Sequence, residues 1–343
     1  MKVADFDYNL PQRLIAQRPL EDRGASRLLV VDKHDGRCLD ETFANLPAFL
    51  QEGDVLVIND TKVLPARLKG KKAESGAAVE ILLLREVSEN RWECLLKNAK
   101  KVRIGTKVSI APGFEAVCVA VGDDGVRLMD MVYEGDFLEI IERLGEAPLP
   151  PYIREPLSER ERYQTVYAKH AGSAAAPTAG FHFTPEMFSR LETAGIEVVS
   201  ITLHVGLATF RPVNVEDVDR HKMHSERYMI SEAAATAINR AKAQHRRVIA
   251  VGTTSARTLE TAASDRGVVS GTGESELFIY PGFDFNVIDG LLTNFHLPKS
   301  TLLMLVSAFA SKEIILASYR YAIDKNYRFY SFGDAMFLTD IKK

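Results

Sequence analysis

The 343-residue chain has few cysteines, and their positions exclude two common kinds of site. Its three cysteines, Cys38, Cys94 and Cys118, are widely spaced and lie outside any CxxC pattern. An odd and scattered set predicts neither a disulfide framework nor a zinc centre. We therefore expect no bound metal, and the composition fits a reducing, cytoplasmic compartment.

Long apolar runs and an excess of one charge are also lacking. The longest apolar segment, 302–310, is too short to cross a bilayer. Asp5 and Asp7 stand where a secretory signal would carry its apolar core, so neither export nor a membrane partner is expected. A formal net charge of −3 argues against non-specific coating of nucleic acid, although a local basic patch remains open.

The apolar spacing predicts two kinds of structure along the chain. Strands alternate with helical patterns over residues 1–65 and 149–343, which is typical of an α/β domain with a mostly parallel sheet and helices on both faces. Residues 66–148 hold several short strands separated by Gly, Asp and Asn. We predict that this segment is a small all-β barrel domain inserted into the α/β domain.

The pattern also predicts individual elements of the second α/β segment. A helix begins at Pro185 after Thr184, and further helices follow Ser231 and Ser300, because these residue types favour helix starts. The strands predicted there lie at Ile196–Leu203, Val248–Val251, Leu277–Tyr280, Leu291–Phe295 and Arg328–Phe332.

The segment 172–184 has the composition of a ligand-binding loop. Small residues let a ligand approach the backbone, aromatic rings can stack, and His182 can move a proton near neutral pH. A flexible connector is the alternative interpretation. The candidate binding residues in this loop are Gly172, Ser173, Thr178, Gly180, Phe181 and Phe183.

Polar residues collect where the predicted strands end. Open α/β sheets bind ligands beyond the carboxyl ends of their strands, so parallel strands would bring these residues to one edge. The segments are 59–61, 204–206, 252–257, 294–296 and 333–334.

The 252–257 segment predicts an anion site. A strand, a Gly, three hydroxyl residues and a helix start leave free N–H groups at the positive end of a helix. The residues that would hold a carboxylate or phosphate are Gly252, Thr253, Thr254, Ser255 and Arg257. Ordinary helix capping is the alternative, and neither a P-loop nor a GxGxxG motif is present.

Single histidines allow two interpretations each. His204 and His296 stand at strand ends, where either a catalytic role or a buried structural role is open. His221 and His224 lie in an irregular segment, and no metal motif accompanies them. We interpret this pair as solvated or substrate-facing.

The predicted barrel carries a local excess of positive charge. Between Lys69 and Lys107 there are ten lysines and arginines against five acidic residues. Such an excess can bind phosphates, although a solvated surface is an equally good interpretation. The candidate contacts with nucleic acid are Lys97, Lys100, Lys101 and Arg103.

Taken in order along the chain, these motifs resemble the S-adenosylmethionine:tRNA ribosyltransferase-isomerase family of queuosine biosynthesis. The matching segments are 22–28, 59–68, 148–153, 163–168, 172–184, 204–207, 209–212, 223–226, 252–260, 289–305 and 327–336. Slight departures occur at Phe181, Ala208 and Ala256, where the family usually has Leu, Gly and Val.

The resemblance implies both a fold and a reaction. It implies an α/β domain interrupted by a β-barrel, in agreement with the prediction above. It further implies transfer and isomerisation of the ribosyl part of S-adenosylmethionine onto 7-aminomethyl-7-deazaguanine at the tRNA wobble position. Epoxyqueuosine-tRNA, adenine and methionine would result, so S-adenosylmethionine would be consumed as a substrate and no cofactor is expected.

This reaction needs a base, an acid and an anion site, which we assign as hypotheses. The candidate acids and bases are His204, His296 and His182, with Asp60 and Asp334 as carboxylate alternatives. The 172–184 loop would wrap the nucleoside, and the protein is expected to act as a monomer on tRNA. A methyltransferase and a non-catalytic tRNA-binding protein are the alternatives.

Overall fold

The computed structural model describes residues 1–97, 99–122, 125–157, 159–206, 213, 215–223 and 225–341. Contacts divide the chain into two compact units. The first contains Met1–Thr61, Pro151–His170 and Ala176–Lys343, and the second contains Lys62–Pro150 with Ala171–Ala175.

Six α-helices and nineteen strands are defined within the described residues. The helices are α1 (Phe137–Leu144), α2 (Pro185–Thr193), α3 (Glu232–Ala243), α4 (Thr253–Thr261), α5 (Thr301–Ala310) and α6 (Lys312–Asp324). The strands are β1 (Arg27–Asp32), β2 (Cys38–Thr42), β3 (Val55–Asn59), β4 (Thr61–Val63), β5 (Arg67–Lys72), β6 (Ala78–Ser88), β7 (Arg91–Leu96), β8 (Lys107–Ala111), β9 (Phe114–Val121), β10 (Val126–Val132), β11 (His170–Ser173), β12 (Glu197–Leu203), β13 (Glu226–Ile230), β14 (Val248–Val251), β15 (Ala263–Ser264), β16 (Gly267–Val268), β17 (Gly271–Ser275), β18 (Gly290–Asn294) and β19 (Ala335–Thr339).

The first unit is built on a nine-stranded sheet with the order β17-β13-β12-β3-β14-β18-β19-β1-β2. The pairs β12–β3, β3–β14, β14–β18 and β19–β1 are parallel. The other four pairs among these described strands are antiparallel. The predicted α/β class is confirmed. The sheet is mixed, however, because antiparallel strands are added at both ends and β19 enters between β18 and β1.

Both faces of this sheet are buried. In β1, Leu28 and Val30 pack into one apolar core and Leu29 and Val31 into the other, because neighbouring side chains point to opposite faces. Helix α2 contributes to the first core, and α3, α4, α5 and α6 contribute to the second. The helices on both faces therefore agree with the prediction.

Predicted helix starts are confirmed, and their caps have the expected hydrogen bonds. The hydroxyls of Thr184, Ser231 and Ser300 each accept a hydrogen bond from the backbone amide three residues later. These bonds satisfy amides that have no partner inside the helix.

Two predicted strands are wrong. Leu277–Tyr280 and Arg328–Phe332 do not form strands, and the sheet uses β17 and β19 instead. The apolar side chains that suggested a strand are buried all the same, for example Ile279 and Phe329. An apolar run indicates that a segment is buried more directly than it indicates that the segment is a strand. These two segments are buried but form no strand of the nine-stranded sheet.

The second unit contains a closed antiparallel barrel of the strands β10-β7-β6-β5-β8-β9. Alternate residues of its strands point inward, as Arg127, Met129 and Met131 do in β10. Helix α1 adds Ile141 to the apolar core of the barrel. The predicted inserted barrel is therefore confirmed as part of the fold class.

Within the described ranges, no single helix has the length and apolar character of a membrane span. Helices α5 and α6 meet that criterion only when taken together, by length and composition, with a bend of 112° between them.

Candidate active site

The ends of six strands meet at one edge of the sheet. Because β12, β3, β14 and β18 are parallel, their carboxyl ends lie on the same side. Strand β19 is antiparallel to β18, and its first residue, Ala335, pairs with Asn294 at the end of β18. Strand β1 runs parallel to β19, so both begin at this edge. The polar segments predicted to gather at one edge do so.

His204 and Asp60 lie at the ends of β12 and β3. Nδ1 of His204 lies 2.8 Å from the Thr61 hydroxyl, and the Thr202 hydroxyl donates to Asp60 Oδ1 over 2.7 Å. Partial burial lowers the pKa of His204, and the positive charges of Arg227 and His170 act in the same direction. His204 is therefore available as an uncharged base below the ordinary histidine pKa.

His170 has no role in the sequence-based predictions, yet it belongs to this group. Its Nε2 lies 3.7 Å from Oδ2 of Asp60, and its side chain is partly exposed. Nothing in the local sequence indicates this contact, since more than a hundred residues separate the two side chains. The pair forms because His170 opens β11 beside the segment that follows β3.

His182 ends a short 3-10 helix, Thr178–His182, and is buried. Its Nδ1 lies 2.7 Å from the Ser26 hydroxyl, and its Nε2 lies 3.2 Å from Nδ2 of Asn294. Burial lowers its pKa to about 3, and the charges of Arg23 and Arg328 contribute. His182 is thus an uncharged side chain whose two ring nitrogens both have hydrogen-bond partners. This geometry suits a structural role that holds the neighbouring residues of the site in place.

A cleft of about 310 Å³ lies beside His182, and we call it the arginine cleft. Its lining includes Arg23, Arg162, Arg328, Phe181, Phe332 and His182. The Phe181 and Phe332 rings stack with centroids 6.0 Å apart, and the guanidinium of Arg23 lies 5.7 Å from the Phe181 centroid. The cleft thus combines positive charge with an apolar floor.

A second cavity of about 350 Å³ lies at the start of α4, and we call it the α4 cavity. Thr253, Thr254 and Arg257 line it together with Phe278. Gly252 caps the helix with a φ of 87°, a left-handed conformation that favours glycine. Three of the five predicted anion-site residues, Thr253, Thr254 and Arg257, therefore line one cavity. Gly252 caps the helix beside it, and the Ser255 hydroxyl donates to the Val251 carbonyl over 2.7 Å.

Arg257 and Glu226 form a buried ion pair at the α4 cavity. Their side chains are only 8% and 4% exposed. Glu226 Oε1 also accepts the Gly206 amide over 2.8 Å. Burial lowers the pKa of Arg257 to about 10, so the guanidinium stays charged at neutral pH. The ion pair fixes the position of the charge beside the helix N-terminus.

Three predicted residues lie in packed surroundings. Phe183 is fully buried and stacks on Phe188, so its ring is not available to a ligand. A Cβ on Gly180 would lie 2.0 Å from the Tyr167 hydroxyl, so this glycine is required by packing. Nε2 of His296 lies 2.9 Å from the Thr293 hydroxyl, and burial lowers its pKa to about 3.

Asp334 lies just before β19. The sequence-based prediction placed it after a strand at Arg328–Phe332, and that position is wrong because no such strand forms. Its carboxylate accepts the backbone amides of Arg27 at 3.0 Å and Arg328 at 2.7 Å. Burial raises its pKa. Both oxygens are therefore used to hold the start of β1 and the segment that carries Arg328, and the geometry suits a positioning role.

The predicted binding loop is shared between the two units. Gly172 and Ser173 belong to the second unit, where the Ser173 hydroxyl donates to the Ala175 carbonyl over 2.6 Å. Thr178 belongs to the first unit, and its hydroxyl donates to Oδ1 of Asn294 over 3.3 Å. Only the second half of the loop therefore joins the sheet edge in the first unit.

The predicted basic contacts lie in the second unit, on the segment between β7 and β8. Lys100 and Lys101 belong to a short 3-10 helix, Ala99–Lys101. All four predicted side chains, namely Lys97, Lys100, Lys101 and Arg103, are exposed. None of them forms an ion pair with another described residue.

Some predicted features lie outside the described residues. These are His224, Ala208 and the motif 209–212. His221 is described, and its ring packs edge-on against Phe278 with centroids 5.1 Å apart. Among the residues that the structure describes, no group of three or more His, Cys, Asp or Glu side chains is placed to hold a metal ion.

Comparison with known proteins gives two findings. Residues 3–338 match the model of a family described as queuosine biosynthesis protein. The chain is also similar to the crystal structure of an S-adenosylmethionine tRNA ribosyltransferase from Thermotoga maritima, with 36% sequence identity and a TM-score of 0.57. That match covers 97% of this chain and 99% of the Thermotoga chain.

Proposed function

Because the chain belongs to the queuosine biosynthesis protein family, we propose that it is an S-adenosylmethionine:tRNA ribosyltransferase-isomerase. It transfers the ribosyl part of S-adenosylmethionine onto 7-aminomethyl-7-deazaguanine at the tRNA wobble position and rearranges it. The products are epoxyqueuosine-tRNA, adenine and methionine. The observation that carries this proposal is the match to the Thermotoga enzyme over nearly the whole of both chains.

The reaction begins with removal of a proton from C5′, which the neighbouring sulfonium acidifies. We assign the base to His204, because it is partly exposed at the sheet edge and its pKa is lowered. Asp60 and His170 stand beside it and can carry the proton onward. His182 and His296 are too deeply buried to exchange protons readily, and we assign them positioning roles.

The methionine carboxylate needs an anion site, and the α4 cavity supplies one. The first amides of α4 point toward its N-terminus, and Arg257 adds a fixed positive charge. Glu226 balances that charge, which suits a zwitterionic amino acid better than a free phosphate. The Ala179 side chain lies close to Gly252, so the Thr178–His182 helix forms a wall near this cavity.

We further propose that residues 1–65 and 149–343 form the catalytic domain and that the inserted domain, 66–148, contacts the tRNA. Changing both Lys100 and Lys101 to Glu should weaken tRNA binding about tenfold or more, because phosphate attraction becomes repulsion. The double change Arg190→Glu and Arg320→Glu is the matched control, since both arginines are exposed on helices of the first unit. Equal losses in the two variants would contradict a specific basic contact.

One incubation tests the proposed reaction against both alternatives. The protein is mixed with S-adenosylmethionine and tRNA that carries the aminomethyl-deazaguanine, and the released small molecules are separated by chromatography. Adenine and methionine in equal amounts support the proposal, whereas S-adenosylhomocysteine would identify a methyltransferase. No turnover together with tight tRNA binding would identify a binding protein. The same tRNA with guanine at the wobble position is the control.

A further inference from the structure

The arginine cleft carries three positively charged side chains. Within the described part of the chain, Arg23, Arg162 and Arg328 take part in no ion pair. Arg23 donates to the carbonyls of Phe181 and Glu161, both at 3.2 Å, so its guanidinium is held in place by the backbone.

Arg162 and Arg328 are held in the same way. Arg162 Nη2 donates to the Leu20 carbonyl, and Arg328 Nη2 donates to the Arg18 carbonyl. Arg328 Nη1 is buried and has no hydrogen-bond partner among the described residues. Each guanidinium is thus oriented by one or two backbone carbonyls, while other N–H donors remain available to a ligand.

The carboxylate of Asp334 offsets only part of the positive charge of the cleft. Asp334 acts electrostatically on Arg328, but its two oxygens accept backbone amides. Burial lowers the pKa of Arg23, and repulsion from the Arg162 guanidinium lowers it further. Positive groups held together against their repulsion are typical of sites that bind a polyanion.

The positive charge of the cleft favours one of the two substrates of the proposed reaction over the other. S-adenosylmethionine carries a sulfonium, an ammonium and one carboxylate, so its net charge is positive. The tRNA carries a negative phosphodiester at every nucleotide. A cleft whose three arginines form no ion pair with any described residue therefore repels the first and attracts the second.

We propose that the arginine cleft binds the phosphodiester backbone of the tRNA strand next to the target base, while S-adenosylmethionine binds at the α4 cavity. This inference rests on the proposed function. The stacked Phe181 and Phe332 rings form the apolar floor against which the splayed nucleotide packs. The cleft would then hold the strand while the target base reaches the sheet edge.

The test measures binding without turnover. Arg162→Gln is the principal variant, Arg162→Lys keeps the charge, and Arg320→Gln is the control on an exposed helix position. The dissociation constant of an anticodon stem-loop is measured between 50 and 200 mM KCl, a range over which phosphate contacts strongly change the affinity of a protein for nucleic acid. The dissociation constant of S-adenosylmethionine is measured separately by calorimetry.

We expect Arg162→Gln to weaken stem-loop binding about tenfold and to reduce the salt slope by about 0.7 for the lost phosphate contact. Arg162→Lys should recover most of the salt slope, and S-adenosylmethionine binding should be unchanged in both variants. Arg328→Gln should behave like Arg162→Gln if its thermal melting shows that it is folded.

Two results would overturn the inference. One is loss of S-adenosylmethionine binding with unchanged stem-loop affinity. The other is Arg162-dependent binding of inorganic phosphate together with unchanged stem-loop affinity in Arg162→Gln, which would indicate a site for a free anion. Absence of adenine release by the wild-type protein would instead refute the proposed function, because the stem-loop measurement involves no turnover.

Discussion

Nδ2 of Asn294 lies 3.2 Å from Nε2 of His182, and this contact fixes the protonation state of the imidazole. The amide nitrogen can only donate, so Nε2 must accept and the ring proton must lie on Nδ1, facing Ser26. The Thr178 hydroxyl, which donates to Oδ1 of Asn294, supports this orientation of the amide. A protonated His182 would lose the contact with Asn294.

The first prediction concerns stability at acid pH. His182 and His296 both have a pKa of about 3 in the folded protein, below the unfolded value of about 6.5. Their contribution is complete above about pH 6.5 and is lost as the pH falls toward 3, because only the unfolded chain then takes up these protons. For His182→Gln or His296→Gln, the free energy of unfolding should fall less steeply between pH 6 and pH 4, by about 1.4 kcal/mol per pH unit.

Urea denaturation at several pH values measures this difference. Carboxylates contribute to the slope of both proteins, so comparison of each variant with the wild type isolates the histidine. Identical slopes would show that the replaced histidine is protonated in the folded state.

The second prediction concerns catalysis by His204. His204→Ala should lower kcat by about 10²–10⁴-fold, because the base beside Asp60 is removed. The acid limb of the kcat/KM profile should lie below the ordinary histidine pKa in the wild type, since burial lowers the pKa of His204, and should disappear in the variant. His296→Gln serves as the comparison and should keep that limb. An unchanged profile in His204→Ala would remove it from the role of base.

The third prediction concerns the buried pair Arg257 and Glu226. Arg257→Met should destabilise the fold by about 3–5 kcal/mol, because it removes the guanidinium that faces the buried carboxylate of Glu226. The double change with Glu226→Gln should recover much of that loss, since the amide oxygen can still accept the Gly206 amide. Urea titration measures both effects, and equal stability of the single and double variants would contradict the coupling.

The fourth prediction separates packing from ligand contact at Gly180. Gly180→Ala should cost about 1–3 kcal/mol, because the new methyl group meets the Tyr167 hydroxyl at 2.0 Å. Adding Tyr167→Phe should recover part of this loss, since that hydroxyl is buried and has no hydrogen-bond partner in the described residues. Thermal denaturation measures both variants. If Gly180→Ala is stable but binds S-adenosylmethionine poorly, Gly180 contacts a ligand instead.

Much of the fold could be predicted from periodicity. The strand β14 has the bounds predicted from its apolar run, and Thr184 and Ser231 cap the helices they were expected to cap. The bounds of such a strand and the caps of these helices depend on neighbouring residues alone, so they can be predicted from the sequence. The segment 328–332 also contains apolar residues, but it forms no strand of the sheet. The place beside β18 and β1 is taken by β19, and this pairing between distant segments is not visible in the local sequence.

The site was predicted in part for a related reason. Residues that follow parallel strands, such as Asn59 and His204, could be placed at one edge because the rule for parallel sheets is general. The contact of His170 with Asp60 and the gathering of Arg23, Arg162 and Arg328 depend on how distant segments pack, and no local pattern encodes them. Phe181 and Phe183, two residues apart, illustrate the limit, since both are buried but only Phe181 lines the arginine cleft.

The position of β19 also has a consequence for the order of events during protein synthesis. This strand, Ala335–Thr339, separates β1 from β18, and Asp334 just before it holds the start of β1. Until these residues have left the ribosome, a nascent chain cannot link β1 and β2 to β18, and Asp334 cannot hold the backbone amides of Arg27 and Arg328 beside the arginine cleft. A chain that stops before β19 therefore lacks the strand that joins the two parts of the sheet, and we expect it to be inactive toward tRNA.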